Sequence, residues 1–315
     1  MNNRYFDLID QTFDWPTQQF DLQENNLTYF NLPLMNVIQK YGTPLRITFI
    51  PRIGEKIEEA RSWFNKAFNE IDYPGSYEYA YCTKSSHFSF VMKEVLSYGA
   101  SIETSSNYDI DIIRNLDKKG VFDKKTKILC NGFKPPLYIE NIVDLIERGY
   151  KAIPILDNLQ ELNEYLAKIK KEIEVGIRIA TEEEPNFEFY TSRLGIRYND
   201  ILELYQNQIQ NNESVKLKML HFFVNSGIRD NQYYWNELRK CVNVYCDLKE
   251  HCPDLDILDI GGGFPVPNNL GFNFDYYFMI REILYYIKTI CDERSVKCPN
   301  IITEFGNYKI GRAHV

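Results

Sequence analysis

Four short segments carry side chains that could do chemistry together. Tyr81-Cys82-Thr83-Lys84 sets a lysine at the end of an aromatic, apolar run. Partial desolvation depresses the pKa of a lysine amine and makes it a nucleophile for carbonyl carbon, so Lys84 is a Schiff-base candidate; a solvated lysine opening a loop is the other reading. Asp259-Ile260-Gly261-Gly262-Gly263-Phe264-Pro265 follows a second apolar run. Consecutive glycines let backbone N–H groups close on a phosphate without Cβ interference, or else supply a tight turn at positive φ. Glu103 and Glu304 end two further runs, SIET and NIITEF, and each is either a site carboxylate or a satisfied structural acid. His221 reads as a hydrogen-bonded interior histidine, Cys82 as a packing thiol and Asp259 as a support for the glycine loop.

Such residues need a scaffold that aims them at one place. Short β-branched or aromatic runs occur at 77–83, 101–104, 127–131, 152–156, 174–180, 217–223, 255–260 and 300–305, with helical text between consecutive members. Eight strands alternating with helices over roughly 230 residues predict an α/β protein, a (β/α)8 TIM-like barrel whose functional residues gather at the strands' C-terminal ends. Ahead of them, Ile53, Ile57, Ala60, Phe64, Ala67, Phe68 and Ile71 recur at steps of three and four and predict one amphipathic helix. Residues 1–42 do not fit the repeat, and PLRITFI (44–50) reads as an additional strand before the eight.

Composition narrows the class. Of 315 residues, 44% are apolar, enough for a sizeable core, and 36 basic against 44 acidic side chains leave a net charge of −8. That balance, with no basic stripe, argues against nucleic acid or an anionic membrane as partner and suits a cationic small substrate. Seven cysteines without a C-x-x-C pair argue against a disulfide framework or zinc site, and no metal ligand set is read. No membrane span or signal segment is legible, and a cytoplasmic protein is expected.

Set on a barrel, a lysine after strand one, a glycine loop after strand seven and a carboxylate after strand eight describe a pyridoxal 5'-phosphate site. That cofactor needs an amine for its aldehyde, N–H donors for its phosphate and an anion at its ring nitrogen, which keeps the ring able to accept electrons when a bond to Cα breaks.

The sequence also resembles the fold-type III pyridoxal-phosphate decarboxylases of ornithine, diaminopimelate and arginine, from about Tyr77 to Tyr308. Tyr81-Cys82-Thr83-Lys84 matches the family's Y-A-V-K, and nineteen positions later Glu103 falls on its acidic residue, with Ser106 on its serine. Arg178 in GIRIA matches the strand-five arginine, SRLGI (192–196) is similar to the K-F-G segment, Ser226 matches the phosphate serine, DIGGGFP the glycine loop and Glu304 the acid at the pyridine nitrogen. The chain departs at Phe223, where the family stacks a histidine on the ring, and at Asn307, where E-P-G-R has become Glu304-Phe305-Gly306-Asn307 and a phosphate-binding arginine is lost. Cys130-Asn131-Gly132-Phe133-Lys134 resembles the C-N-G-Y-K of biosynthetic arginine decarboxylases.

The resemblance implies an alanine racemase-like barrel over 43–309, with Lys84 and Glu304 catalytic and Lys84, Glu103, Arg178, Phe223, Ser226, Gly261, Gly262, Gly263, Glu304, Gly306 and Asn307 binding the cofactor. It implies decarboxylation of a basic amino acid, arginine to agmatine in polyamine biosynthesis, by a homodimer or higher homo-oligomer, with magnesium entering by family analogy only. Ornithine or diaminopimelate decarboxylation, a related racemase, and a non-catalytic homologue of the antizyme-inhibitor kind are the alternatives. Family members continue into a β-domain that residues 1–42 would join; here family text stops near Lys309, and 310–315 reads as a non-native tail. A truncated chain of low activity and poor solubility is therefore expected.

Overall fold

The structure, a computed structural model, describes residues 20–23, 26–45, 47–181, 194–224, 231–265 and 274–306. The chain divides into two units, one of Met1–Phe49, Val266–Asp275 and Ile310–Val315 and one of Ile50–Pro265 and Tyr276–Lys309.

In the first unit, β1 (Phe20–Gln23), β2 (Asn26–Tyr29) and β3 (Leu32–Pro33) form an antiparallel sheet, followed by helix α1 (Leu34–Tyr41). Phe30 and Asn31, at φ 49° and 62°, make the two-residue turn between β2 and β3, the backbone sense that matches strand twist. The strand expected at 44–50 does not form: residues 47–49 have no regular structure, and Ile50 already turns into a helix. Pro44 and Pro51 bracket this stretch and remove ladder donors, while Pro51 suits the first helical position, where its missing N–H costs nothing.

The second unit opens with α2 (Pro51–Glu70), which buries Ile53, Ile57, Ala60, Phe64, Ala67 and Phe68 along one stripe, as the periodicity requires. Eight parallel strands follow: β4 (Tyr77–Cys82), β5 (Ser101–Thr104), β6 (Ile128–Cys130), β7 (Ala152–Leu156), β8 (Ile173–Arg178), β9 (Val215–His221), β10 (Ile257–Asp259) and β11 (Asn300–Thr303). They close in the order β10-β11-β4-β5-β6-β7-β8-β9. Helices lie between consecutive strands: α3 (Ser89–Ser97), α4 (Asn107–Lys118), α5 (Pro136–Glu147), α6 (Glu161–Leu166), α7 (Tyr198–Leu204), α8 (Asn231–Lys249) and α9 (Tyr276–Glu293). Such strands are buried on both faces, which is why they read as continuous apolar runs. Ala80, Leu129, Ile153, Ile155, Met219, Ile257 and Ile302 fill a core cluster contributed by six of them. Register then aligns the strand ends: Cys82 pairs with Glu103, Arg178 with His221 and His221 with Asp259.

Candidate active site

The residue after each strand lands on one rim. Lys84 sits in a single 3-10 turn, Thr83–Ser85, directly after β4, and Thr83 Oγ1 anchors that turn by donating to Glu103 O at 3.1 Å. The Lys84 side chain is 57% exposed, while Glu103 beside it is fully buried, with Nζ 3.7 Å from Oε2. Glu304, just past β11, accepts a 2.6 Å hydrogen bond from Asn131 Nδ2 on Oε1 and has His221 Nε2 3.4 Å from Oε2. The same Asn131 nitrogen lies 3.3 Å from Glu103 Oε1. Asp259 Oδ1 accepts the Gly261 N–H at 2.8 Å, the supporting role its position suggested. Cys82 is buried with Sγ 3.2 Å from Glu304 O.

The surroundings push these acids in different directions. Burial, then repulsion from Glu304, push the Glu103 carboxyl up to about 7 against the pull of Lys84. Burial also opposes the Glu304 charge, yet His221, Lys84 and the Asn131 hydrogen bond more than offset it and bring that carboxyl down to about 2. Burial and the neighbouring Glu304 hold Asp259 well above the carboxylate range. For Lys84 the expectation of a depressed pKa is corrected: burial does lower it, but the adjoining acids, Glu103 first, outweigh burial and hold the ammonium above its ordinary value.

The glycine loop is built for close approach. Gly261 and Gly263 have φ of 65° and 93°, so both need the left-handed region. A Cβ at Gly261 would lie 2.7 Å from Phe222 O, and one at Gly262 2.6 Å from Glu304 O. At Gly306 it would meet Ser85 Oγ at 2.0 Å, so the chain leaving β11 passes tightly under the Lys84 turn. Arg178, nearly buried, has Nε 4.0 Å from Asp157 Oδ1 and Cζ 5.7 Å from the centre of the Phe223 ring. Ser226 and Asn307 lie outside the described residues, as do Ser192 and Arg193 of the SRLGI segment.

Two groups gained roles that the sequence had shown only as part of a motif. Asn131 bridges two acids, and Lys134 is fully buried, donating to Ile155 O at 2.6 Å and Gly132 O at 3.0 Å and pairing with Glu161 at 2.9 Å. Their position directly after β6, on the functional rim, was the available signal. The donor set suits pyridoxal phosphate: an amine at Lys84, an anion at Glu304, N–H groups freed of Cβ at the glycines. Buried Glu103 Oε2, Arg178 Nε and His221 Nδ1 have no hydrogen-bond partner within the described chain, so polar capacity is left for a bound group. His221, Asp259 and Glu304 each bring a ligand atom within 4.8 Å of the others. An imidazole in a closed, buried cluster is a poor match to magnesium, which prefers octahedral oxygen with retained water.

Comparison with known proteins agrees with this fold. Residues 54–311 match the family model described as "Pyridoxal-dependent decarboxylase, pyridoxal binding domain". The biosynthetic arginine decarboxylase of Geobacter sp. (strain M21) is 24% identical over 298 residues, covering 88% of this chain and 46% of that protein. Biosynthetic arginine decarboxylase 2 of Synechocystis sp. is 26% identical over 298 residues, covering 85% and 44%. The chain thus spans about half the length of the curated relatives it matches. Among solved structures, the biosynthetic arginine decarboxylase of Campylobacter jejuni superposes with a TM-score of 0.75 at 20% identity, covering 95% of this chain and 52% of that one. Diaminopimelate decarboxylase of M. jannaschii gives 0.76 at 17% identity, covering 94% and 68%.

Proposed function

The chain belongs to the pyridoxal-dependent decarboxylases through their pyridoxal-binding domain, and from that premise we propose that it serves the decarboxylation of a basic amino acid, arginine to agmatine. The observation that carries the reading is the rim cluster, with Lys84 Nζ 3.7 Å from Glu103 and Glu304 gripped by Asn131 and His221. Arginine is favoured by Cys130-Asn131-Gly132-Phe133-Lys134 and by the activity for which the relatives are named.

Lys84 is the amine that would take the cofactor's aldehyde. Its ammonium must first lose a proton, and Glu103, poised near neutrality, is the acceptor at hand. Glu304, kept anionic, would face the ring nitrogen and hold its proton. The N–H groups of Gly262 and Gly263 would receive the phosphate, Gly261 shaping the turn while its own N–H is held by Asp259; Ser226, Gly306 and Asn307 are assigned to the same group by the family resemblance, and Arg178 and Phe223 would flank the ring. Once bound, the cofactor supplies the sink for the electron pair left when CO2 departs from Cα. A homo-oligomer working in the cytoplasm on polyamine precursors completes the proposal.

The test is direct. Borohydride reduction in the presence of pyridoxal phosphate, followed by peptide mapping, should label the peptide containing Lys84; a label elsewhere sinks the assignment. Release of CO2 from arginine, ornithine and diaminopimelate compared side by side should rank arginine first, and preference for either rival would replace it.

A further inference from the structure

Asn131 stands at the end of β6, 4% exposed, between carboxyl groups carried by two other strands. Its amide nitrogen reaches Glu304 Oε1 at 2.6 Å and Glu103 Oε1 at 3.3 Å. Chemistry dictates that orientation, because the opposite one would set a carbonyl oxygen against both acids. The nitrogen has two hydrogens, so one amide can serve both carboxyl groups and offset their repulsion.

The groups around this pair come from five strands and one helix. Cys82 and Lys84 face it from the β4 side, Cys130 from β6, Arg178 from β8, His221 from β9, Asp259 from β10 and Tyr138 from α5. Among them Asn131 is the neutral donor shared by the two glutamates.

Resting on the reading of Lys84, Glu103 and Glu304 as a cofactor site, we propose that Asn131 is its positioning residue, coupling the acid beside Lys84 to the acid across the barrel mouth. Removing the donor weakens the anionic form of both acids, and the positive charge on the Lys84 nitrogen loses support. With cofactor on Lys84, that nitrogen then gives up its proton at lower pH.

The experiment loads the chain with pyridoxal phosphate and follows the bound cofactor's absorption against pH. In Asn131→Leu, similar in branching, and Asn131→Ala, the midpoint should fall by roughly half a unit to one unit, because a lost hydrogen bond to a charged group moves the acid itself by about one unit or more and only part of that reaches the Lys84 nitrogen. Asn131→Ser, small and polar, is the variant to use if those two fail to fold, with a smaller fall expected. A lower melting temperature with an unmoved midpoint would show a merely structural role and overturn the inference. In a Glu103→Gln background the Asn131→Ala shift should shrink by at least half; an undiminished shift overturns the coupling. An unlabelled Lys84 in the unaltered chain defeats the site reading and this inference together, whereas a labelled Lys84 with an unmoved midpoint defeats this inference alone.

Discussion

Glu103 and Glu304 are the same side chain in the same cluster, both buried, and partners alone separate them. Glu304 has a 2.6 Å amide and an imidazole, while Glu103 has a lysine at 3.7 Å and the repulsion of Glu304. The sign of the resulting pH dependence follows. Glu103 has its pKa raised on folding from about 4.5 to about 7, so its contribution is fully present below 4.5 and is lost as pH rises through 7. Glu304, lowered to about 2, contributes above 4.5 and loses that as pH falls through 2. Glu103→Gln should therefore raise the melting temperature relative to the unaltered chain by several degrees at pH 8 and by little at pH 4, read from thermal melts at both. Under the proposed function, Glu304→Gln should cut turnover of the assembled enzyme by roughly 10²- to 10³-fold while cofactor affinity, measured by titration, changes far less, since a neutral amide would not hold the ring proton. The placement of Lys84, Glu103 and Glu304 on one rim was legible because each lies at or just past the C-terminal end of a strand. Asn131 was not, because its partner Glu304 lies 173 positions away.

At the level of elements, the loop after β10 depends on missing side chains. Gly262→Ala would set a Cβ 2.6 Å from the backbone oxygen of Glu304, an obstacle that cannot rotate aside. It should cost about 1 to 3 kcal/mol and weaken cofactor binding at least tenfold, by melting and by titration. Gly176→Ala in β8 is the control, since its Cβ would meet Ile155 Cδ1 at 2.5 Å, the far end of a flexible side chain. That change should cost less and leave cofactor affinity in place. Strands β4 to β11 were readable as buried apolar runs between helices. The segment 44–50 has the same apolar look, but prolines at its ends and a helix start at Pro51 decide against a strand.

Across the whole molecule, exposed Phe88, Phe90, Tyr108, Phe133 and Leu137 all follow β4, β5 or β6 and so share the rim that carries Lys84. Exposed large apolar side chains on one rim, four of them aromatic, fit an association surface, in keeping with the proposed homo-oligomer. Tyr108→Ala with Phe133→Ala should weaken self-association by roughly tenfold or more, measured by sedimentation over a concentration series, with the melting temperature little changed. Among the described residues no helix is long and apolar enough to cross a membrane. Sequence alone determined the alternation of eight buried strands with helices, and the lysine, acids and glycines at the strand ends, because periodicity and residue type are local properties. Only the tertiary structure decided which acid meets which donor. Closure pairs β11 with β4 and with β10, carrying Glu304 back to residues encoded far earlier in the chain. Hydrogen bonds and charge coupling depend on ångström distances across that closed ring, and no local pattern along the chain encodes them.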